Sequence, residues 1–160
     1  MTELQYREVP LSTVASLSGA ELDTIRSWIA KNPYARFRGE KRGRNLYFSL
    51  RETYFICILR RLIEYGTQIN TAIDVAAKLV DATPTEGPKP DARVLVTHLC
   101  GMVATHDEFE LRTDQLPIAC AFLQAGKIWA HIVRSLQGDN PAPARPRRKR
   151  KAIATDARAA

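Results

Sequence analysis

Five cations fall within nine positions of YARFRGEKRGRNLYFSL, residues 34–50, where the only acid is Glu40. They are Arg36, Arg38, Lys41, Arg42 and Arg44. Each guanidinium or ammonium group can pair with a phosphate, so a cluster this dense could bind a polyanion. Two aromatic residues lie at each end of the cluster, Tyr34 and Phe37 at its start and Tyr47 and Phe48 after it. The alternative is a solvated basic loop, and the cluster alone does not separate the two.

The positive charge of the chain is unevenly distributed. The net charge is +7, and residues 145–160 carry seven Lys or Arg against Asp156, which leaves seventeen bases and sixteen acids for residues 1–144. The body is therefore nearly neutral, with its positive charge concentrated at 36–44. Such a cluster on a balanced body is typical of a surface that binds a polyanion.

Few residues have a pattern that would suggest catalysis or metal binding. Three cysteines, Cys57, Cys100 and Cys120, are widely spaced without a C-x-x-C motif, which predicts free buried thiols in a reducing cytoplasm. His98 and His106 could meet Cys100 across a hairpin, but their spacing matches no standard zinc pattern. No Gly-rich phosphate loop or nucleophile elbow appears. We therefore expect no enzyme activity, no metal and no cofactor.

Hydropathy argues against a membrane protein. The longest apolar runs, such as YFICIL, are far shorter than the roughly 20 residues that a spanning helix needs. The first ten residues are polar and acidic, unlike a secretory signal. These features predict a cytoplasmic protein.

The elements that must position the basic cluster follow from apolar spacing and turn residues. Helices are predicted at 11–19 and 20–32, the second with Leu22, Ile25, Trp28 and Ile29 facing inward. Gly39 and Gly43 predict a hairpin whose second strand is RNLYF, residues 44–48. SLRE at 49–52 is a capping box that begins a helix through Tyr65, and Asn70 is predicted to cap a further helix through Ala82.

The rest of the chain has weaker signals. Three prolines in residues 83–91 predict a linker or extended connection. Strands are predicted at 93–101 and 103–111, the second pairing back onto the first. A helix is predicted at 114–126, and a further strand at 127–136, where a helix is the alternative. Residues 139–160 are rich in Pro, Ala and Arg, which predicts a disordered basic tail. The run RPRRKRK at 145–151 could be a second phosphate clamp, an anchor for acidic lipids or proteins, or a nuclear localisation signal.

Four sequence stretches, VASLSG, DTIRSW, RNLYFSLRE and LRRLIEYGTQINTAIDVA, carry a resemblance to a known family. Together they resemble the winged helix-turn-helix DNA-binding domain of the MerR family of bacterial transcription regulators. The resemblance implies a recognition helix at about 20–31 in the major groove and a basic wing at 36–48 on the phosphate backbone. It also implies double-stranded DNA as the partner. The implied DNA-binding residues are Thr24, Arg26, Ser27, Lys31, Arg36, Arg38, Lys41, Arg42, Arg44, Asn45 and Tyr47.

The side chains of such a recognition helix would contact different parts of the DNA. Thr24 and Ser27 can donate to or accept from base edges, Arg26 can bind a guanine or a phosphate, and Lys31 can reach the backbone. The alternative for Arg26 is a salt bridge with Asp23, three residues earlier, which is worth only about 0.2–0.5 kcal/mol. Tyr34 and Phe37 are expected to pack beneath the hairpin.

These inferences predict an α+β protein with four parts. A DNA-binding domain spans 1–82, a proline-rich linker 83–91, a small α+β unit 92–138 and the tail 139–160. The linker stands where the MerR family has a long dimerisation helix, so we expect 92–138 to form the homodimer, with no effector evident. The predicted function is a nucleoid-associated transcription regulator. The alternatives are an architectural or excision-type accessory factor of a phage or mobile element, and a protein-interaction adaptor.

Overall fold

The computed structural model describes residues 8–97, 103–106 and 120–138, and confirms an α+β protein. Five helices and six strands occur in these ranges. In chain order they are β1 (Val9–Pro10), α1 (Leu11–Ser18), α2 (Leu22–Lys31), β2 (Glu40–Arg42), β3 (Asn45–Phe48), α3 (Leu50–Glu64), α4 (Ile69–Ala82), β4 (Arg93–Thr97), β5 (Val103–His106), β6 (Cys120–Leu123) and α5 (Ala125–Leu136).

Helices α1 and α2 meet at a tight turn, as predicted. Gly19 ends α1 with a left-handed φ of 69°, a conformation that a β-carbon disfavours. On α2, Ile25 and Trp28 are buried, but Leu22 is 41% exposed, so the expectation that it faces inward is wrong. Helical side chains tilt toward the N-terminus, and Leu22 is the first residue of α2, so it extends beyond the core contact.

The predicted hairpin is present and belongs to a three-stranded sheet of order β1-β3-β2. Arg42 pairs with Asn45, so Gly43 and Arg44 form the two-residue turn, and the second strand begins one residue later than expected. The pairing of β1 with β3 was not predicted, because a two-residue strand ending in Pro10 has no readable alternation.

Helix α3 is the centre of the core. The predicted capping box is present: the backbone N–H of Glu52 donates to Ser49 Oγ at 3.2 Å, and the backbone N–H of Ser49 donates to Glu52 Oε2 at 2.7 Å. Every residue from Glu52 to Leu59 is buried, so the first half of α3 is enclosed on all sides. Gly66 follows its C-cap, as predicted.

Helix α4 packs on α3 through a predicted face that includes Ile73, Ala76 and Val80. The prediction that Asn70 caps this helix is wrong, because the helix begins at Ile69 with Gln68 as its N-cap. The carbonyl of Gln68 already accepts from the N–H of Ala72, which places Asn70 inside the first turn.

The C-terminal part contains a second antiparallel sheet of order β5-β4-β6. The pairing of β4 with β5 confirms, over the described residues, the prediction that 103–111 pairs back onto 93–101. The helix predicted at 114–126 is wrong for Cys120–Leu123, which is a strand. The strand predicted at 127–136 is also wrong, because Ala125–Leu136 is a helix, the alternative for that segment. The buried residues Ala125, Trp129 and Ile132 follow helical spacing, which the β-branched residues of this segment obscured.

Helix α5 shares the core of α3. The Trp129 ring meets Tyr54 edge to face with centroids 5.1 Å apart, and Tyr54 Oη donates to the carbonyl of Ala125 at 3.4 Å. A β-carbon at Gly87 would overlap the Trp129 ring, and one at Gly126 would overlap the backbone of residues 89–90. The domain divisions at 82 and 91 stay predictions, and the tail at 139–160 lies outside the described residues. None of the described helices is long and apolar enough to cross a membrane.

Candidate nucleic-acid interface

A groove of about 600 Å³ lies between the start of α2 and the hairpin β2–β3. Its lining residues are Pro10, Leu11, Ser12, Leu22, Arg26, Lys41, Arg44, Asn45, Leu46 and Tyr47. Five of them are sequence-predicted site residues, namely Arg26, Lys41, Arg44, Asn45 and Tyr47. No Asp or Glu is present in this lining. The fold therefore brings three cations from two separate elements to one concave surface, which we call the α2–hairpin groove.

Two of these cations are available for a ligand. Lys41, on β2, and Arg44, in the hairpin turn, are exposed. Neither side chain forms a hydrogen bond or ion pair with another residue of the described ranges. Long, solvated cationic side chains at the rim of a groove can bind anions without breaking contacts of the fold.

Arg26 is held by a neighbour on its own helix. Its Nη1 lies 2.8 Å from Asp23 Oδ1, and the two side chains are 59% and 90% exposed. This salt bridge is the alternative to a DNA contact that the sequence predicted for Arg26. An exposed pair of this spacing contributes only about 0.2–0.5 kcal/mol, so a phosphate or guanine can replace Asp23.

Arg42 has a partner on its own strand. Its Nε and Nη2 donate to the two carboxylate oxygens of Glu40, each at 3.2 Å, and this hydrogen bond raises the pKa of the Arg42 guanidinium. The guanidinium also lies 5.4 Å from the centre of the Tyr47 ring. Arg42 therefore orients Tyr47 and does not itself line the groove.

Arg36 and Arg38 connect the base of the hairpin to the helices. Arg36 lies in a short 3-10 turn, Ala35–Phe37, where its Nε donates to Asp81 Oδ1 at 3.1 Å and its Nη2 to Asp81 Oδ2. Arg38 Nε donates to the carbonyl of Asn32 at 2.8 Å. Neither lines the groove, so the structure uses both in holding the hairpin, and their DNA-binding role stays a prediction.

Three predicted residues of α2 also lie outside the groove lining. Thr24 is half-buried, while Ser27 and Lys31 are exposed. Ser27 directly follows Arg26 on the solvent side of α2, and Lys31 is at the C-terminal end. A partner would have to extend along the helix to contact all three.

The flanking aromatic residues pack as predicted. Phe37 is buried and stacks on Phe55, with ring centres 4.6 Å apart. Tyr34 Oη donates to Asp74 Oδ1 at 2.9 Å, and this hydrogen bond raises the pKa of the Tyr34 phenol. Phe37 is therefore not free to stack on a nucleotide base, whereas Tyr34 is half-buried and is connected to α4 through Asp74.

The sequence interpretation missed the apolar part of the groove. Leu22 lines it on α2, and Leu11 and Leu46 line it from α1 and β3. The spacing could have predicted that Leu22 lines the same surface as Arg26, because residues four apart on a helix share a face and Leu22 precedes Arg26 by four.

The described ranges contain no candidate site for metal binding or for a reactive thiol. No group of three His, Cys, Asp or Glu side chains is placed to hold a metal there. His98 and Cys100 lie outside the described residues. Cys57 is buried, as predicted, and burial raises the pKa of its thiol to about 12, so the nucleophilic thiolate is scarce at neutral pH.

Comparison of the chain with protein-family models, curated proteins and solved structures finds no match. The resemblance to the MerR family therefore stays a prediction from the sequence motifs. A functional proposal for this protein depends on the geometry and charge of the α2–hairpin groove.

Proposed function

We propose that this protein is a double-stranded-DNA-binding transcription regulator. In this proposal α1 and α2 are the helix-turn-helix, α2 enters the major groove, and the hairpin β2–β3 is the wing on the phosphate backbone. The observation that carries it is the α2–hairpin groove, where Arg26, Lys41 and Arg44 converge without an acid in the lining.

The shape of these elements suits a duplex. An α-helix is about 10–12 Å across with its side chains, close to the width of the major groove, and the ten residues of α2 extend about 15 Å. Lys41 and Arg44, on the neighbouring hairpin, could then meet phosphates beside the groove. Each neutralised phosphate releases counterions, which makes binding tight at low salt and weak at high salt.

We also propose that the protein acts as a homodimer, since paired recognition helices can read two successive major grooves. The segment 127–136, predicted from the sequence as a strand that could pair across a two-fold axis, is helical and does not support this. Strand β5 does support it, because β4 is its only partner among the described strands, and an edge strand can pair with the same strand of a second copy. Sedimentation of the full chain tests this point, and a monomer at micromolar concentration contradicts it.

A double variant with a charge-matched control tests the DNA site. Fluorescence anisotropy of a labelled duplex at about 50 and 200 mM salt should show steep weakening for the native chain. Lys41→Ala with Arg44→Ala should reduce the slope of log K against log salt by about 1.8, the value for two phosphate contacts. Lys78→Ala with Lys127→Ala removes the same charge from exposed sites on α4 and α5 and should change the slope little.

Two outcomes would contradict the proposal. Equal slopes for the two double variants would remove the groove as the binding site. Failure of the native chain to bind any duplex at about 50 mM salt would remove DNA binding altogether. The regulatory role is tested by genome-wide binding profiles, which should show a small number of sites at promoters.

A further inference from the structure

An apolar side chain is exposed inside the basic groove. Leu22 is 41% exposed at the first position of α2, four residues before Arg26. The other large apolar side chains exposed to this degree in the described ranges, Tyr65 and Leu136, belong to the C-terminal ends of α3 and α5. Of these three exposed apolar side chains, only Leu22 lies in the α2–hairpin groove, where the proposed function places the ligand.

The surroundings of Leu22 combine apolar and cationic groups. Leu11 and Leu46 line the same groove, with Lys41 and Arg44 on the hairpin side. The cations can pair with the phosphates of a polyanion, and Leu22 can pack against an apolar group of the same polyanion. On the major-groove edge of B-DNA the apolar group is the 5-methyl of thymine, since the other base edges there present hydrogen-bond donors and acceptors.

We propose that Leu22 contacts the 5-methyl group of a thymine and makes the protein selective for thymine at that position. This inference rests on the proposed function, because it requires α2 to lie in the major groove. Residues near the N-terminus of a recognition helix are those that reach base edges, and Leu22 is the first residue of α2. Arg26, one turn later, would meet a phosphate or base on the same side.

Replacement of thymine by deoxyuridine tests the contact, because it removes the 5-methyl group and keeps the base pair. A preferred duplex is selected from a random pool, and its thymines are replaced one at a time. For the native chain, one replacement should weaken binding about fourfold, the effect of losing the burial of one carbon at ~0.8 kcal/mol. Leu22→Ala should bind the two duplexes equally. Leu22→Gln, which keeps a long side chain with good helix propensity, should also bind them equally.

Leu136→Ala is the matched control, because Leu136 is 39% exposed and does not line the groove. It should keep the fourfold difference. If no deoxyuridine replacement weakens binding by the native chain, or if both Leu22 variants keep the difference, the inference is wrong although DNA binding stands. Absence of duplex binding by the native chain would instead contradict the proposed function.

Discussion

The buried carboxylate of Glu52 accepts a hydrogen bond from the backbone N–H of Gly39 at 3.0 Å, across thirteen residues of sequence. Its other oxygen accepts from Ser49 in the capping box of α3. One side chain thus fixes both the start of the central helix and the base of the hairpin that carries Lys41 and Arg44. Gly39 allows this approach, because its φ is 72° and a β-carbon there would lie 2.8 Å from the Phe48 ring.

Glu52→Gln should destabilise the protein and loosen the hairpin. The amide has one acceptor oxygen where the carboxylate has two, so a backbone N–H of Gly39 or Ser49 loses its acceptor. A buried polar group left unsatisfied costs about 1–3 kcal/mol, which urea unfolding can measure. Glu64→Gln is the control on the same helix: Glu64 pairs near the surface with Arg60 and Arg61, and its loss should cost less than about 1 kcal/mol. Equal effects would contradict this role of Glu52.

Asp23→Asn should strengthen DNA binding. Asp23 pairs with Arg26 and carries a negative charge beside the α2–hairpin groove. Removing that charge frees Arg26 for a phosphate or guanine and reduces repulsion of the duplex, so the dissociation constant should fall severalfold at about 50 mM salt. Glu86→Gln removes the same charge from an exposed site in the proline-rich segment and should change affinity less. Unchanged or weaker binding by Asp23→Asn would contradict the assignment of Arg26 to the interface.

Trp129→Ala should destabilise the whole described fold rather than a separate C-terminal unit. Trp129 is 8% exposed and packs on Tyr54 of the central helix, so its loss leaves a cavity in the shared core. The expected loss is about 3–5 kcal/mol in denaturant unfolding. Leu136→Ala, at an exposed position of α5, should cost far less. A loss below about 1 kcal/mol for Trp129→Ala would mean that α5 contributes little to this core.

The stability of the protein should decline above pH 9. Burial raises the pKa of Cys57 from 9.0 to about 12, so the folded chain keeps this proton where the unfolded chain releases it. The unfolding free energy should therefore fall by up to about 1.4 kcal/mol per pH unit above pH 9 from this thiol. Urea unfolding of the native chain and of Cys57→Ala, each at pH 7.5 and 10, isolates the effect. The native chain should lose about 1.4 kcal/mol more than the variant over this interval, and equal losses would contradict the prediction.

The N-terminal elements were predictable because their signals are local. Glycines mark the turns at 19 and 43, Ser49 and Glu52 stand at capping-box spacing, and apolar residues repeat with a helical period. The convergence of Lys41 and Arg44 on one surface also followed from the hairpin. Local sequence could not show that Arg36 pairs with Asp81, forty-five residues away, and so connects the base of the hairpin to α4.

The errors arose where local signals were ambiguous. Segments 114–126 and 127–136 both contain apolar runs of similar length, and burial against α3, rather than propensity, makes the second one helical. The spacing of Leu22 matches the apolar face of α2, but the first residue of a helix need not reach the core. The apolar half of the groove was missed for that reason.

The close contacts of Gly87 and Gly126 restrict where the chain tolerates added residues. Gly87 lies against the Trp129 ring, and the backbone of residues 89–90 lies against Gly126, so two fixed contacts occur within four consecutive positions. An insertion between Gly87 and residues 89–90 could keep only one of these two contacts and would displace the other. Residues 87–90 are therefore a spacer of fixed length, and a peptide tag inserted among them would disturb the seat of Trp129 or of Gly126.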